Sequence, residues 1–166
     1  MAKQSAEELE GLYQLFVADV APAYQGYVNQ THETLLAAGC TYKIEQAKSG
    51  FMVSYSHMPA KRVLLNFVFR KSGLVMRIYG DHVGDYVDFM ETLPQEMMKG
   101  VAKAPACKRM TDPLTCNQKC RMGYDFTVQG HRYQKCQYSC FMFAVDDTSI
   151  PFVKGILERE LLARAG

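Results

Sequence analysis

Five of the six cysteines in this chain lie close together in the sequence, and their spacing could support metal binding. Residues 116–140 have the sequence CNQKCRMGYDFTVQGHRYQKCQYSC, and Cys107 lies shortly before them. A structural zinc site uses four thiolate or imidazole ligands in a tetrahedron, with Zn–S distances of about 2.3 Å. The sulfurs of one site must therefore lie roughly 3.8 Å apart, and this distance limits which cysteines can share a metal.

The secondary structure expected around each cysteine determines which of them can bind the same zinc. Cys136 and Cys140 fall in a predicted strand, where residues four apart are separated by about 13 Å at ~3.3 Å per residue, so one zinc binds both only if the strand is broken. Cys116 and Cys120 fall in a predicted turn or single helical turn, where residues four apart are neighbours. The predicted ligands of a structural zinc are Cys107, Cys116, Cys120 and Cys136. Cys140 or His131 is a substitute ligand.

Other interpretations of the cysteines stay open. C-x3-C is not the usual zinc spacing, and free cysteine also behaves as a small hydrophobic residue in a protein core. A redox pair is a further alternative, although the chain lacks the CxxC motif that is typical of one. A thiol beside a histidine could instead act as a nucleophile, and the possible pairs join Cys107 or Cys136 to His131 or His57. That interpretation implies a small-substrate enzyme with a reactive cysteine and no metal.

The cysteine-rich segment is also basic. Residues 99–135 contain eight Lys and Arg and two Asp, a net charge of +6 in a chain whose total is +2. Basic residues grouped in this way can bind anions, and neighbouring tyrosines could stack on nucleic-acid bases. We therefore expect an anionic partner, either nucleic acid or a small phosphorylated or carboxylate ligand. The predicted anion-binding residues are Lys108, Arg109, Lys119, Arg121, Arg132 and Lys135.

A second polar segment, YGDHVGD at 79–85, gathers Asp81, His82 and Asp85. These groups could form a metal or acid–base site. The same residues also suit a turn from a strand into a helix with an aspartate as N-cap, which is the interpretation we favour. The chain contains no GxSxG, Walker A, GxGxxG or HExxH motif, so the corresponding enzyme classes are not indicated.

The elements that would position these residues follow from the hydrophobic periodicity. Ser5 and Glu8 form a predicted capping box for a first helix, and Pro22 begins a second helix that ends near Gly39. Residues 51–58, 63–70 and 74–79 alternate with period two and are joined by short turns, which predicts a three-stranded antiparallel meander. Two short helices follow, the second beginning around Pro94. A hairpin around Gln-Gly at 129–130 and a last helix complete the chain.

The predicted fold class is therefore α+β, an antiparallel sheet with N-terminal, central and C-terminal helices packed on it. The buried side of the last helix is expected to include Val153, Ile156, Leu157, Leu161 and Leu162. At 166 residues we expect one domain over 1–166, with a cysteine-rich basic segment at 107–140. The N-terminus does not resemble a secretory signal, and no window has the apolar length of a membrane span, so we expect a cytoplasmic protein without a membrane partner. The sequence does not indicate an oligomeric state.

Several segments of the chain together resemble a family of small bacterial cysteine-containing α+β proteins. The matching segments are CKRM (107–110), DPLTCNQKC (112–120), GYDF (123–126), YQKC (133–136), KRVLLNFVFRKSGLVMRIYGD (61–81) and LPQEM (93–97). The resemblance covers roughly residues 45–160, and it favours the zinc ligand set that includes Cys107. That family has no established activity, so the resemblance implies organisation rather than function.

Together these observations predict a cytoplasmic, zinc-stabilised binding domain that presents a basic face to an anionic partner. The zinc would be structural, because four protein ligands leave no open position for a substrate. The alternative is the small-substrate enzyme with a reactive cysteine.

Overall fold

The chain folds as an α+β protein in a computed structural model that describes residues 3–165, as its sequence predicts. The helices are α1 (Ala6–Asp19), α2 (Pro22–Ala37), α3 (Val87–Met90), α4 (Gln95–Lys103), α5 (Lys108–Thr111) and α6 (Ser149–Ala165), with a 3₁₀ helix at Val83–Tyr86. The strands are β1 (Cys40–Ala47), β2 (Gly50–His57), β3 (Arg62–Arg70), β4 (Gly73–Ile78), β5 (Tyr124–Val128), β6 (His131–Lys135) and β7 (Met142–Ala144). None of the helices within residues 3–165 combines the length and apolar character that crossing a bilayer requires.

The strands form one five-stranded sheet in the order β1-β2-β3-β4-β7 and a separate two-stranded sheet of β5 and β6. The described chain divides into two compact units. Unit 1 contains the residues up to Met76 together with 144–146, and unit 2 contains Arg77–Phe143 together with the residues from Asp147 onward. The single domain over 1–166 stays a prediction.

Unit 1 begins with the predicted capping box. The Glu8 amide donates to the Ser5 hydroxyl (3.1 Å), and the Ser5 amide donates to the Glu8 carboxylate (2.8 Å). Inside unit 1, His32 of α2 is buried, stacks on the Tyr13 ring and lies 2.7 Å from the Tyr55 hydroxyl. Burial lowers the pKa of the His32 imidazole, which keeps it neutral in this aromatic cluster. This histidine is therefore part of the core.

The predicted three-stranded meander was incomplete, because it lacked β1. That strand pairs with β2 in an antiparallel register from Cys40 opposite His57 to Ala47 opposite Gly50. Between its first and last residues only Ile44 is buried, so β1 carries too little hydrophobic alternation to be detected by periodicity. It lies at one edge of the sheet, where strands commonly carry charged residues, as β1 does at Lys43 and Glu45.

In unit 2 the predicted hairpin is present as β5 and β6. Val128 pairs with His131, and both turn residues, Gln129 and Gly130, have positive φ, as a two-residue hairpin turn requires. The predicted strand beyond the hairpin was wrong between Cys136 and Cys140. The Cys140 amide donates to the Cys136 carbonyl at 2.9 Å, which closes a turn there, and β7 begins only at Met142.

The buried face of the last helix differs from the predicted one. Val153, Ile156 and Leu157 are buried as expected, but Leu162 is 75% exposed and Glu160 is completely buried. Positions 153, 156, 157 and 160 lie on one face of a helix, and position 164 continues that face. The buried stripe of α6 therefore carries a glutamate and an arginine at its C-terminal end, and these charges lead to the site described next.

Candidate functional site

The cysteine-rich segment contains only free thiols, like the rest of the chain. Ala106 forms an antiparallel bridge with Lys135, the Cys107 amide donates to the Gln134 carbonyl, and the Cys136 amide donates to the Pro105 carbonyl. In such a pairing Cys107 and Cys136 lie on the same face, two positions apart, which corresponds to about 7–8 Å between Cα atoms. The Cys107 sulfur accepts a hydrogen bond from the Gly123 amide at 3.3 Å. The structure therefore brings these two predicted ligands close to each other.

The other two predicted zinc ligands have different surroundings. Cys116 is exposed and has φ = 66°, in the left-handed region. The Cys120 thiol donates to the Arg121 carbonyl (3.0 Å) and accepts from the Gln137 side chain (3.0 Å). Of the substitutes, Cys140 is buried, and burial is the main cause that raises the pKa of its thiol, while His131 is exposed in the hairpin.

As they stand, these side chains do not fit a shared metal. Within residues 3–165 no three His, Cys, Asp or Glu side chains are grouped closely enough to hold one. The thiols of Cys107 and Cys120 instead make separate hydrogen bonds to the protein. The structural zinc stays a prediction, and binding it would require the four thiols to converge.

The zinc prediction has a direct measurement. If it is correct, untagged protein contains about one zinc per chain by elemental analysis, and four of its six cysteines are masked from alkylation until a chelator is added. Chelation would then lower the melting temperature, because metal binding contributes to folding. Metal-free protein in which Cys107, Cys116, Cys120 and Cys136 react without a chelator, together with no effect of the chelator on the melting temperature, would exclude the site.

The predicted anion-binding residues fall into two groups. Arg132 makes a two-pronged contact with Asp125 (2.9 and 2.7 Å), and these hydrogen bonds lower the pKa of the Asp125 carboxyl. The Lys135 ammonium donates to two carbonyl oxygens, and Arg109 donates to the Cys120 carbonyl. Lys108, Lys119 and Arg121 form the second group: their side chains are exposed, and the Arg121 guanidinium lies 3.8 Å from an Asp81 carboxylate oxygen. Anion binding stays a prediction, and this second group is best placed for it.

A connected group of ionisable side chains in unit 2 surrounds Glu160 of α6. Its side chain is completely buried. One carboxylate oxygen accepts from the His82 amide (2.9 Å) and the Tyr86 hydroxyl (2.8 Å). The other lies 2.9 Å from His82 Nδ1 and accepts from Arg164 Nε at 2.7 Å. Four donors on two oxygens suit an ionised carboxylate, which can only accept.

Arg164 extends this network to the segment that precedes the 3₁₀ helix. Its guanidinium donates to the Tyr79 carbonyl (2.8 Å) and to the Asp81 carboxylate (3.3 Å). The same oxygen of Asp81 lies 3.8 Å from the Arg121 guanidinium. Asp81 therefore serves as a counter-ion for arginines, and the expectation that an aspartate caps the following helix was wrong, since that helix has no side-chain cap.

Tyr86 remains a hydrogen-bond donor in this network. Burial, followed by the charge of Glu160, raises the pKa of its phenol, so the hydroxyl keeps its proton at neutral pH. The tyrosine therefore helps to hold the carboxylate in one orientation.

His82 is the member of the network that a reactant can reach. Its side chain is 40% exposed, whereas that of Glu160 is 0% exposed. With Nδ1 directed at a carboxylate oxygen, the proton of the neutral ring resides on Nδ1 and the lone pair resides on Nε2. A buried carboxylate that orients an accessible imidazole in this way is a recurring arrangement in acid–base catalysis.

The sequence singled out Asp81 and His82 but missed their partners on α6. The signal was present in the helical spacing, because positions 160 and 164 continue the stripe of Val153, Ile156 and Leu157. An ionisable residue on an apolar stripe needs a partner when it is buried, and His82 with its neighbouring segment provides that partner for Glu160.

Comparison with known proteins adds no assignment to this site. No protein-family model matches the chain, and no curated protein or solved structure matches it. The resemblance to bacterial cysteine-containing proteins stays an expectation.

Proposed function

We propose that the chain is a hydrolase for a small substrate, with His82 as its general acid–base residue and Glu160 as the positioning residue. The observation that carries the proposal is the 2.9 Å contact between His82 Nδ1 and a completely buried carboxylate. Because this contact orients the ring and favours the tautomer with its proton on Nδ1, the lone pair of Nε2 is available to a reactant.

The simplest role for His82 in this reaction is to activate a water molecule by removing a proton from it. His82 Nε2 takes a proton from a water molecule while the hydroxide adds to an acyl or phosphoryl centre of the substrate. The protonated ring then returns that proton to the leaving group as the bond to it breaks, and water has been added across that bond. Glu160 stabilises the transient imidazolium without accepting its proton.

An open pocket beside Tyr86 offers space for a small substrate, although His82 is not among its lining residues. It has a volume of about 530 Å³, within the usual range for small-molecule sites. Tyr86 lines this pocket while its hydroxyl donates to Glu160. The remaining lining residues include Phe89, Arg159 and Leu162. A substrate that occupies this pocket would lie against the Tyr86 ring, whose hydroxyl donates to the Glu160 carboxylate.

The proposal predicts that H82Q loses hydrolysis. We expect the wild type to hydrolyse p-nitrophenyl acetate or p-nitrophenyl phosphate, and kcat/KM to fall about 100-fold in H82Q, since general acid–base groups contribute roughly 10²–10⁴-fold. The matched control is H131Q, which changes an exposed histidine in the hairpin and should leave the rate unchanged. Equal rates in wild type and H82Q on both substrates would exclude this reaction.

A second measurement tests the contact between His82 and Glu160 independently of hydrolysis. The ¹⁵N chemical shifts of the His82 ring should show a protonated Nδ1 and an unprotonated Nε2 in the neutral protein. The opposite tautomer would contradict the positioning role of Glu160, whatever the rates show.

The zinc-stabilised, anion-binding domain remains a second proposal. It is supported by the shared face of Cys107 and Cys136, which are predicted ligands, and by the exposure of Lys108, Lys119 and Arg121. The structure offers no comparable support for a reactive cysteine, because the Cys107 thiol contacts a backbone amide rather than a histidine.

A further inference from the structure

We propose that Arg121 binds an oxyanion of the substrate, a phosphate or a carboxylate, and that the Cys120 thiol holds Arg121 in place for this purpose. The inference rests on the proposed hydrolase, because it names the substrate class of the same site. It also assigns a positioning role to Cys120, which the sequence analysis named as a predicted zinc ligand.

Within residues 3–165, the Arg121 side chain keeps most of its hydrogen-bonding capacity. It is 64% exposed, and a carboxylate oxygen of Asp81 lies 3.8 Å from its guanidinium. That distance exceeds the 2.7–3.2 Å typical of a hydrogen bond, and the same oxygen already accepts from Arg164 at 3.3 Å. A guanidinium has five N–H donors in a planar fork that fits phosphate and carboxylate oxygens. The side chain is therefore charged, accessible and only loosely engaged.

The position of Arg121 connects it to the proposed acid–base residue. Asp81, which lies beside its guanidinium, directly precedes His82 in the chain and shares Arg164 with Glu160. An oxyanion on Arg121 would bind at the rim of the network that orients the imidazole. Since Asp81 already has Arg164 as a counter-ion, it can release Arg121 without losing its ion pair.

The backbone of Arg121 is held by the residue before it. The Cys120 thiol donates to the Arg121 carbonyl at 3.0 Å and accepts from the Gln137 amide at 3.0 Å. Gln137 is 7% exposed, so this support comes from the interior of unit 2. Arg109 also donates to the Cys120 carbonyl. These hydrogen bonds restrict the backbone at Cys120 and Arg121. This restriction lowers the entropic cost of ordering the Arg121 side chain when an anion binds.

The test is a titration of isotope-labelled protein with inorganic phosphate and, separately, with acetate, followed by NMR. We expect saturable binding of at least one anion, with Kd weakened about tenfold or more in R121Q and less than twofold in K154Q. Lys154 is the matched control, because it is an exposed cation on α6 that does not belong to the predicted anion-binding residues. The anion that binds more tightly identifies the substrate group as phosphate or carboxylate.

The positioning role of Cys120 is tested with C120S and C120A in the same titration. Serine retains a donor at this position and alanine removes it, so we expect weaker binding in C120A than in C120S. Binding that is unchanged in R121Q, or absent from the wild type for both anions, would overturn the proposal. Equal affinities in C120A and wild type would overturn the role of the thiol.

The failure of the hydrolase and the failure of the anion site have different signatures. Anion binding should persist in H82Q, because that variant leaves Arg121 and its supports unchanged. Binding that depends on Arg121, in a protein without hydrolysis, would retain the anion site and reject the reaction.

Discussion

Replacing Glu160 by glutamine lowers the free energy of unfolding by about 3–5 kcal/mol, the cost expected when one partner of a buried ion pair is removed. The Glu160 carboxylate is completely buried against Arg164, whose side chain is 5% exposed. The E160Q amide removes the charge and places N–H donors among the donors of His82, Tyr86 and Arg164. Urea denaturation followed by circular dichroism measures this change.

The control for E160Q is E158Q on the same helix, where the glutamate is exposed and the change should stay within about 0.5 kcal/mol. Equal stabilities of the two variants would show that the buried network contributes little. E160Q should also change the ¹⁵N tautomer signature of His82, a readout that a purely structural role of Glu160 would not affect.

Replacing Gly123 by alanine is expected to destabilise unit 2 by about 2–3 kcal/mol, because the added methyl group has no space. A Cβ at this position would overlap the Lys135 carbonyl oxygen and come within 2.9 Å of Cys107 Cβ. The first obstacle is backbone of β6, so no side-chain rotation relieves it. G123A would therefore separate the segment around Cys107 from the hairpin, and urea denaturation should show the loss.

The control for G123A is the same change at Gly100 in α4, where a Cβ would meet no atom of the described residues within 4 Å beyond its chain neighbours and the adjacent helix backbone. Alanine in a helix is favoured over glycine by about 0.8–1.0 kcal/mol, so G100A should stabilise the protein. If G123A were as stable as the wild type, the close approach of residues 107, 123 and 135 would be wrong.

The cysteine-rich segment shows how a local error changes a site prediction. The alternation of Cys136, Tyr138 and Cys140 predicted one continuous strand, and the distance argument against a shared metal depended on it. In the structure a turn closed by the Cys140 amide and the Cys136 carbonyl interrupts this segment. Gln137 and Cys140 are buried in this turn, whereas Tyr138 is 56% exposed. Alternation over five residues is therefore too short a pattern to establish a strand.

The sequence by itself determined the α+β class, the capping box at Ser5, the β5–β6 hairpin and most of the meander. Each of these depends on residues that lie close together in the chain, where backbone preferences and hydrophobic alternation act directly. The edge strand β1 was missed for the same reason, since its neighbours impose little alternation on it.

Only the tertiary structure decided which ionisable residues act together. His82 and Glu160 are 78 positions apart, and no local preference specifies that contact. Their pairing follows from the packing of α6, which buries Val153, Ile156 and Leu157 and thereby carries Glu160 into unit 2. A buried carboxylate requires donors from whichever segment lies beside it. The candidate site is therefore a consequence of helix packing, whereas the elements that form it are local.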